Sequence, residues 1–348
     1  MIEAVYGLIE EVRRQHAPDP RTAVFEIDVV DENAGLVIYG ASSVPAAVEA
    51  LHEAIAGLDS KQPITAEIRR LPIEEEGVSP HVVVRSAVAP MLVGPLISES
   101  HLSQIVLGHR MVVLREHGRW LHCRCRDGYL GWVHRGYVTR MSETEARAWD
   151  LGAGGPLHVS LGAEVLDDSG RLITRLPWGA RVAMNDGMVG LPDGSAGRMK
   201  GTLVAAAELP IRFPPDGLAI VRTASLWHGT PYLWGGTTLT GADCSGLVQA
   251  VFGLHGIDLP RDSDQQALMG EEVSTENEFE RLRAGELLFF AEQRDRISHV
   301  AISLGGSRIF HSSLSNGGVS TNDLSGDNAY EKELRSLLVT VRRVIPES

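Results

Sequence analysis

Cysteine is scarce in this chain, with only Cys123, Cys125 and Cys244 among 348 residues. An odd number of cysteines argues against a fully paired disulfide framework. Cys123 and Cys125 flank Arg124 in a segment that reads as a β-strand, so we expect two reduced thiols on one face. A single Cys-x-Cys pair without further ligands is weak evidence for a metal site. No metal or other cofactor is therefore predicted.

Basic segments and long apolar runs are also missing. The formal net charge is −13 and no long run of lysine or arginine occurs, which disfavours nucleic acid as a partner. No stretch of about 18 apolar residues is present, so we expect no membrane insertion. Residues 1–16 have apolar side chains at helical spacing but no basic start and no small-residue cleavage site. We therefore expect a cytoplasmic protein, although a chain trimmed of an export leader would look similar.

The chain is predicted to form four domains, a multidomain α+β architecture. Residues 1–75 read as helix, strand, strand, helix and strand, a small α+β domain without a catalytic cluster. Residues 80–145 and 146–210 consist of short alternating strands in which Gly-x-Arg and Asp-Gly motifs recur. This repeat resembles tandem bacterial SH3-like barrels. Residues 211–348 combine a cysteine at the start of a helix with strands that carry two histidines, which is a papain-like α+β arrangement.

Cys244 is the residue that most clearly indicates chemistry. It lies in an Asp-Cys-Ser-Gly motif directly before an apolar helical run. A free thiol titrates near pH 8.5, and a helix start capped by Asp243 would favour its thiolate form. His299 is the candidate base that takes the thiol proton, and His311 can orient that base if it is neutral. The order Cys, His, His predicts a cysteine hydrolase.

The two histidines lie on either side of a glycine-rich turn. A two-residue turn of Gly305 and Gly306 would place His299 and His311 on opposite faces of the sheet. A loop with an odd number of residues sets them directly opposite each other, with Cβ atoms about 5 Å apart, and we predict such a loop. Two other interpretations stay open: packed structural side chains, or a zinc site formed by the cysteine and both histidines.

Four motifs extend this constellation: Pro-Tyr-Leu-Trp-Gly-Gly at 231–236, Asp-Cys-Ser-Gly-Leu at 243–247, Ser-His-Val-Ala-Ile at 298–302 and Phe-His at 310–311. With them the chain resembles the NlpC family of bacterial cell-wall cysteine peptidases over residues 211–345. The resemblance implies that Cys244 is the nucleophile, His299 the base and His311 the orienting residue. It also implies that Tyr232 helps to hold the oxyanion beside the backbone N–H of Cys244. Taken alone, Tyr232 is equally compatible with an aromatic core residue.

Members with tandem SH3-like domains before the peptidase resemble γ-D-glutamyl-L-diamino acid endopeptidases. These enzymes release L-Ala-γ-D-Glu from muropeptides with a free N-terminal L-Ala, so the resemblance implies a muropeptide partner and recycling of imported wall peptides. It implies four substrate contacts, Asp243, Ser245, Ser263 and Tyr129, and Glu99 is our candidate for a second amine-binding carboxylate. A free ammonium needs carboxylate and hydroxyl acceptors of this kind. Ser263 alternatively caps a helix. Glu99 lies in a segment one residue longer than usual and is alternatively a solvated surface residue.

Two other functions remain open from the sequence. One is a thiol amidase or acyltransferase on the same scaffold, which the lack of an apolar anchor segment disfavours. The other is a non-catalytic cell-wall-binding protein, against which the intact Cys244, His299 and His311 argue.

Overall fold

The structure is a computed structural model of the chain. The residues it describes are 1–32, 34–60, 62–73, 75–151, 153, 157–274, 279–293 and 296–346. None of the helices in these ranges combines the length and the hydrophobicity that a membrane-spanning segment needs.

The N-terminal part has the predicted order of elements: α1 (Ile2–His16), β1 (Phe25–Glu32), β2 (Gly35–Ser42), α2 (Pro45–Ala56) and β3 (Ile64–Arg70). Strand β1 is antiparallel to β2, whereas β2 and β3 are parallel. Parallel neighbours need a crossover connection, which α2 provides. Helix α1 buries Val5, Ile9 and Val12, which recur at helical spacing, against this sheet.

A seven-stranded antiparallel sheet follows. Its strands are β4 (His81–Val84), β5 (Val88–Leu92), β6 (His101–Val106), β7 (Arg110–His117), β8 (Trp120–Arg124), β9 (Leu130–His134) and β10 (Val138–Arg140). Their order in the sheet is β10-β4-β7-β8-β9-β5-β6. The predicted Asp-Gly turn lies between β8 and β9, where Gly128 has a φ of 87°. A short helix, α3 (Glu143–Arg147), leads out of the sheet.

A second antiparallel sheet repeats these features. It contains β11 (Leu157–Leu166), β12 (Leu172–Leu176), β13 (Arg181–Asn185), β14 (Met188–Gly190) and β15 (Ala196–Ala205). Strand β11 pairs with β15 as well as with β13, so that four of the strands close on themselves. The second predicted Asp-Gly turn precedes β15, and Gly194 there has a φ of 86°. An Asp-Gly turn with a glycine of positive φ therefore precedes a strand in both sheets.

The C-terminal part is a mixed α/β unit. Its helices are α4 (Leu209–Arg212), α5 (Gly217–Ser225), α6 (Cys244–Leu254), α7 (Ser263–Gln266) and α8 (Ala329–Leu337). Its strands are β16 (Thr237–Thr238), β17 (Gly241–Ala242), β18 (Glu271–Glu272), β19 (Leu287–Phe290), β20 (His299–Gly305), β21 (Arg308–Ser313), β22 (Gly318–Asp323) and β23 (Leu338–Arg343). The six-stranded sheet has the order β18-β23-β19-β20-β21-β22. Strands β20 and β21 carry the two histidines on either side of the glycine-rich turn.

Helix α6 packs on one face of this sheet. Leu247, Val251 and Phe252 are fully buried on the helix and share a core with Val300 and Ile302 of β20. Burial of each such side chain contributes about 1.5–3 kcal/mol. This packing fixes the start of α6, and with it Cys244, beside the start of β20.

Candidate active site

Cys244 is the first residue of α6 and is buried. The predicted cap is confirmed, because the Asp243 carboxylate accepts a hydrogen bond of 2.7 Å from the backbone N–H of Gly246. The thiol accepts hydrogen bonds from the backbone N–H groups of Val300 and Ser245. Since Val300 directly follows His299, the thiol lies at the point of β20 where the candidate base is attached.

Burial, however, controls the protonation states at this site. It raises the pKa of the Cys244 thiol to about 12, and the negative charge of Asp243 raises it further, against the two N–H groups that lower it. Burial also lowers the pKa of His299 to about 3, helped by the neighbouring His311. Desolvation disfavours the charged form of both groups. Burial therefore favours the neutral form of both groups and acts against the expected thiolate.

The two histidines form a directed chain of hydrogen bonds. His299 Nε2 lies 2.6 Å from His311 Nδ1, and His311 Nε2 lies 2.9 Å from Asn322 Oδ1. The same Asn322 oxygen accepts from Asn316 Nδ2 at 2.6 Å, which identifies it as the carbonyl oxygen. His311 must then donate from Nε2 and accept at Nδ1, so His299 donates from Nε2. The Nδ1 atom of His299 is left unprotonated, as a general base requires.

The register of β20 and β21 differs in part from the predicted one. A two-residue turn is present, since Gly305 pairs with Arg308, but a bulge at Leu304 follows it and Ser303 pairs with Ile309. The loop between the regular pairs therefore has an odd number of residues, as predicted, and both histidines share a face. Direct opposition of His299 and His311 is wrong: continued from this register, His311 faces Ala301. The histidines are diagonal neighbours, a separation that two imidazole rings can bridge.

Tyr232 lies next to the nucleophile. It pairs with Ala242 in a short parallel bridge two residues before Cys244, and its side chain is half-buried. Burial, with the nearby Cys244, raises the pKa of the Tyr232 hydroxyl to about 12. The hydroxyl therefore stays protonated and can donate a hydrogen bond to a developing oxyanion.

Asp243 and Ser245 are held by an arginine that the sequence did not single out. Arg261 is 2% exposed and donates to the Asp243 carboxylate at 2.6 and 3.1 Å and to the Ser245 hydroxyl at 2.8 Å. The Asp243 oxygens also accept from the backbone N–H groups of Gly235 and Gly246. A carboxylate offers about four acceptor positions, so Asp243 is already saturated by the protein.

A second carboxylate, Asp262, lies beside this pair and was also missed. The Tyr129 hydroxyl donates to its oxygens at 3.0 and 3.3 Å, and Arg21 of the N-terminal part donates to it at 2.9 Å. Burial and this carboxylate raise the pKa of Tyr129. Ser263 is buried and is the first residue of α7, whose N-cap position is Asp262, so the capping interpretation of Ser263 is wrong. Tyr129 and Ser263 thus meet around Asp262.

Glu99 remains apart from this cluster. It lies in the loop between β5 and β6, where its side chain packs over Gly94. Within the described ranges, no hydrogen bond or ion pair links the Glu99 carboxylate to Tyr129 or Asp262. The same loop leads into His101, whose Nδ1 atom is 3.0 Å from the Trp234 carbonyl oxygen. The proposed contact of Glu99 with the substrate stays a prediction.

The remaining cysteines pack in the seven-stranded sheet. Cys123 is buried in β8 and Cys125 packs against the same cluster, as predicted for thiols on one face. No group of three or more His, Cys, Asp or Glu side chains in the described part of the chain is arranged to hold a metal ion. His299 and His311 direct ring nitrogens at each other rather than at a common centre.

Comparisons with known proteins agree with this geometry. Residues 229–338 match the NlpC/P60 family. Over 130 residues the chain is 37% identical to a gamma-D-glutamyl-L-lysine dipeptidyl-peptidase of Bacillus subtilis, a match that covers 37% of this chain and 41% of that protein. Over 229 residues it is 27% identical to a protein of the same name from Bacillus cereus, with 60% and 66% covered. The chain thus spans less than two thirds of either relative.

A solved structure matches over a longer range. The crystal structure of an NlpC/P60 family protein from Bacillus cereus superimposes with a TM-score of 0.63 and covers 76% of this chain and 100% of that chain. At 21% identity this likeness shows the fold alone.

Proposed function

Because residues 229–338 form an NlpC/P60 domain, we propose that this protein is a cysteine endopeptidase for peptidoglycan-derived peptides. The bond that it hydrolyses lies between γ-D-Glu and the L-diamino acid, in peptides with a free N-terminal L-Ala. The observation that carries the proposal is the hydrogen-bonded chain from His299 through His311 to Asn322 beside the thiol of Cys244. The printed names of the two Bacillus relatives support the choice of bond.

The chemistry follows from the protonation states. As the Cys244 sulfur attacks the γ-carbonyl carbon of D-Glu, its proton passes to Nδ1 of His299. The Tyr232 hydroxyl and the backbone N–H of Cys244 stabilise the oxyanion. The protonated His299 then donates to the departing amine of the diamino acid as the C–N bond breaks. Water, deprotonated by the same imidazole, hydrolyses the thioester and regenerates the thiol.

Selectivity for a free amine is assigned to the cluster around Asp262. Three carboxylates (Asp19, Asp262 and Asp264) are hydrogen-bonded to Arg21 here, and the neighbouring Asp243 is hydrogen-bonded to Arg261. The cluster carries a formal excess of two negative charges, which favours an ammonium group. Because Asp243 is saturated, Asp262 is the carboxylate we assign to the ammonium, with the Tyr129 hydroxyl beside it. Ser245, Ser263 and Glu99 remain proposed contacts.

The test is cleavage of the tripeptide L-Ala-γ-D-Glu-L-diamino acid, with free and with N-acetylated L-Ala, followed by mass spectrometry. We expect L-Ala-γ-D-Glu from the free peptide and a rate at least about 100-fold lower for the acetylated one, since a buried polar site rejects a ligand that leaves it unpaired. Asp262→Asn should remove most of this preference. Asp168→Asn, an exposed carboxylate beyond β11, is the matched control.

The outcomes separate the alternatives. Equal cleavage of both peptides would discard the free-amine assignment but keep the peptidase. If wild-type protein and Cys244→Ala both leave every peptide intact, the protein is a wall-binding protein and the catalytic proposal fails.

The two antiparallel sheets before the peptidase are proposed to be SH3-like domains, with the boundaries 80–145 and 146–210. Their internal repeat and the closed pairing of β11 with β15 support this assignment. A cytoplasmic location and a role in recycling stay predictions. Cell fractionation and the accumulation of muropeptides in a deletion strain would test them.

A further inference from the structure

A cavity of about 250 Å³ lies away from the thiol, at the junction of the two antiparallel sheets and α6. Val106 borders it from the first sheet, Trp178 and Arg181 from the second, and Ala250 and Leu254 from α6. Leu254 is ten residues along α6 from Cys244, or about 15 Å at 1.5 Å per residue. The cavity is therefore distant from the thiol, although Tyr129 of the proposed ammonium site also lines it.

Three arginines line this cavity, and two of them are paired. Arg110 Nε lies 2.6 Å from an Asp150 oxygen, and Arg126 Nη2 lies 2.8 Å from an Asp258 oxygen. Arg126 and Asp258 are both exposed, so their pair marks the mouth of the cavity.

The third arginine, Arg181, is 6% exposed and lacks an equivalent partner. One nitrogen donates to the Trp149 carbonyl at 3.2 Å. The nearest carboxylate oxygen, Asp150 Oδ1, is 3.9 Å away, beyond hydrogen-bond distance, and the other Asp150 oxygen binds Arg110. A buried charge without a close counter-ion is costly. The cavity thus holds an arginine whose charge the described residues leave poorly compensated.

Two donors at the cavity wall have no acceptor within the described residues: Nε of Arg181 and Nε1 of Trp178. Trp178 is only 7% exposed. An unpaired buried donor costs about 1–3 kcal/mol, and more when it is charged. A carboxylate in the cavity would offer two acceptor oxygens, one for each of these residues.

Most of the other wall residues are apolar, contributed by Ile105, Val106, Leu151, Val159 and Leu254. A dry cavity of about 150 Å³ holds benzene, so this one has room for about ten non-hydrogen atoms. We propose that the cavity binds a small organic acid with an apolar body, its carboxylate accepting from Arg181 and Trp178. The inference does not depend on the proposed peptidase function.

Hexanoate is the probe, with hexan-1-ol, hexylamine and acetate as comparisons, measured by calorimetry and by the shift in Tm of the full chain. We expect one saturable hexanoate site per chain and a rise in Tm. Each comparison ligand should bind at least about tenfold more weakly, because hexan-1-ol and hexylamine lack the negative charge and acetate lacks the apolar body. The Cys244→Ala protein should bind equally, which keeps this test apart from catalysis.

Arg181→Met should abolish the preference for hexanoate over hexanol, whereas Arg198→Met, an exposed arginine on β15, should leave it unchanged. Trp178→Phe keeps the ring, removes one donor and should weaken hexanoate binding about fivefold. The Trp178→Phe variant provides the test if Arg181→Met fails to fold. Hexanoate binding no tighter than hexanol or acetate, or unaffected by both cavity variants, would overturn the proposal and leave a water-filled cavity.

Discussion

At the residue scale, the site depends on which nitrogen of each histidine carries a proton. Asn322 accepts from His311, and this single bond fixes the tautomers of both rings and leaves Nδ1 of His299 unprotonated. The pKa directions of Cys244 and His299 then keep both groups neutral before substrate arrives. Proton transfer therefore accompanies attack on the carbonyl. The rate of this step depends more on the orientation of the His299 base than on a preformed ion pair.

Asn322→Ala should lower kcat about 10- to 100-fold, because the buried His311 donor loses its acceptor and His299 loses its orientation. Asn322→Asp keeps an acceptor at the same position and should retain most of the activity. Steady-state kinetics on the free tripeptide gives the measurement. Thr321→Ala, on the same strand but the other face, is the control; equal kcat for both alanine variants would refute the positioning role.

At the scale of elements, the start of α6 depends on a buried ion pair. Asp243 caps the helix and is held by Arg261, and the side chains of both are less than a tenth exposed. The cost of desolvating both charges offsets much of their attraction, so such a pair adds little net stability. Removal of one partner is strongly destabilising, because it leaves the other charge buried and alone. The pair therefore positions the helix end that bears Cys244.

Arg261→Met should lower the free energy of unfolding by about 3–5 kcal/mol, since the Asp243 charge loses its counter-ion. The double variant with Asp243→Asn should be more stable than Arg261→Met alone. Arg147→Met breaks an exposed i,i+4 pair with Glu143 and should cost no more than about 1 kcal/mol. Urea unfolding measures all three. If Arg261→Met lowered the free energy of unfolding no more than Arg147→Met does, the positioning role of the ion pair would be contradicted.

At the scale of the whole molecule, the N-terminal part reaches the proposed substrate site. Arg21 donates to Asp262 and Asp264 of the peptidase domain, and its own carbonyl accepts from Leu130 of the first antiparallel sheet. One arginine thus connects three parts of the chain around the proposed ammonium site. This gives residues 1–75, which carry no catalytic cluster, a positioning role.

Arg21→Ala should raise KM for the free tripeptide about tenfold with little change in kcat, because Asp262 loses its support while the thiol and histidines keep theirs. Arg21→Lys, which keeps the charge, should recover part of the loss. Arg13→Ala, exposed on α1, is the control. A fall in kcat without a change in KM would show that Arg21 acts elsewhere.

Acid should destabilise the whole fold through three histidines whose pKa values are lowered in the folded protein. Burial lowers the pKa of His109 and His299 to about 3 and that of His122 to about 4. The unfolded chain takes up protons near pH 6.5, so this stabilisation is complete above pH 6.5 and is lost as pH falls towards 3. At pH 5 each of these histidines should lower the free energy of unfolding by about 2 kcal/mol. Urea midpoints at pH 7.5 and pH 5 measure it.

His122→Phe should flatten this pH dependence, whereas His52→Gln, at an exposed position of α2, should leave it unchanged. Urea midpoints that are equal at both pH values would contradict the role of the buried histidines.

Local pattern explains what could be predicted from the sequence. Apolar spacing after Asp243 predicted α6 and its cap, and the glycine-rich turn between the histidines predicted that β20 and β21 pair. The order of Cys244, His299 and His311 indicated the chemistry. These features depend on neighbours in the chain, which periodicity and capping rules describe.

Long-range packing decided the rest. Asn322 reaches His311 only because β22 pairs beside β21, and Arg21 reaches Asp262 across 241 positions of sequence. A bulge at Leu304 set the offset of the histidines, and burial raises the pKa of the Cys244 thiol. Desolvation and non-local contacts depend on what surrounds a side chain in space, so composition and spacing leave them open until the chain is folded.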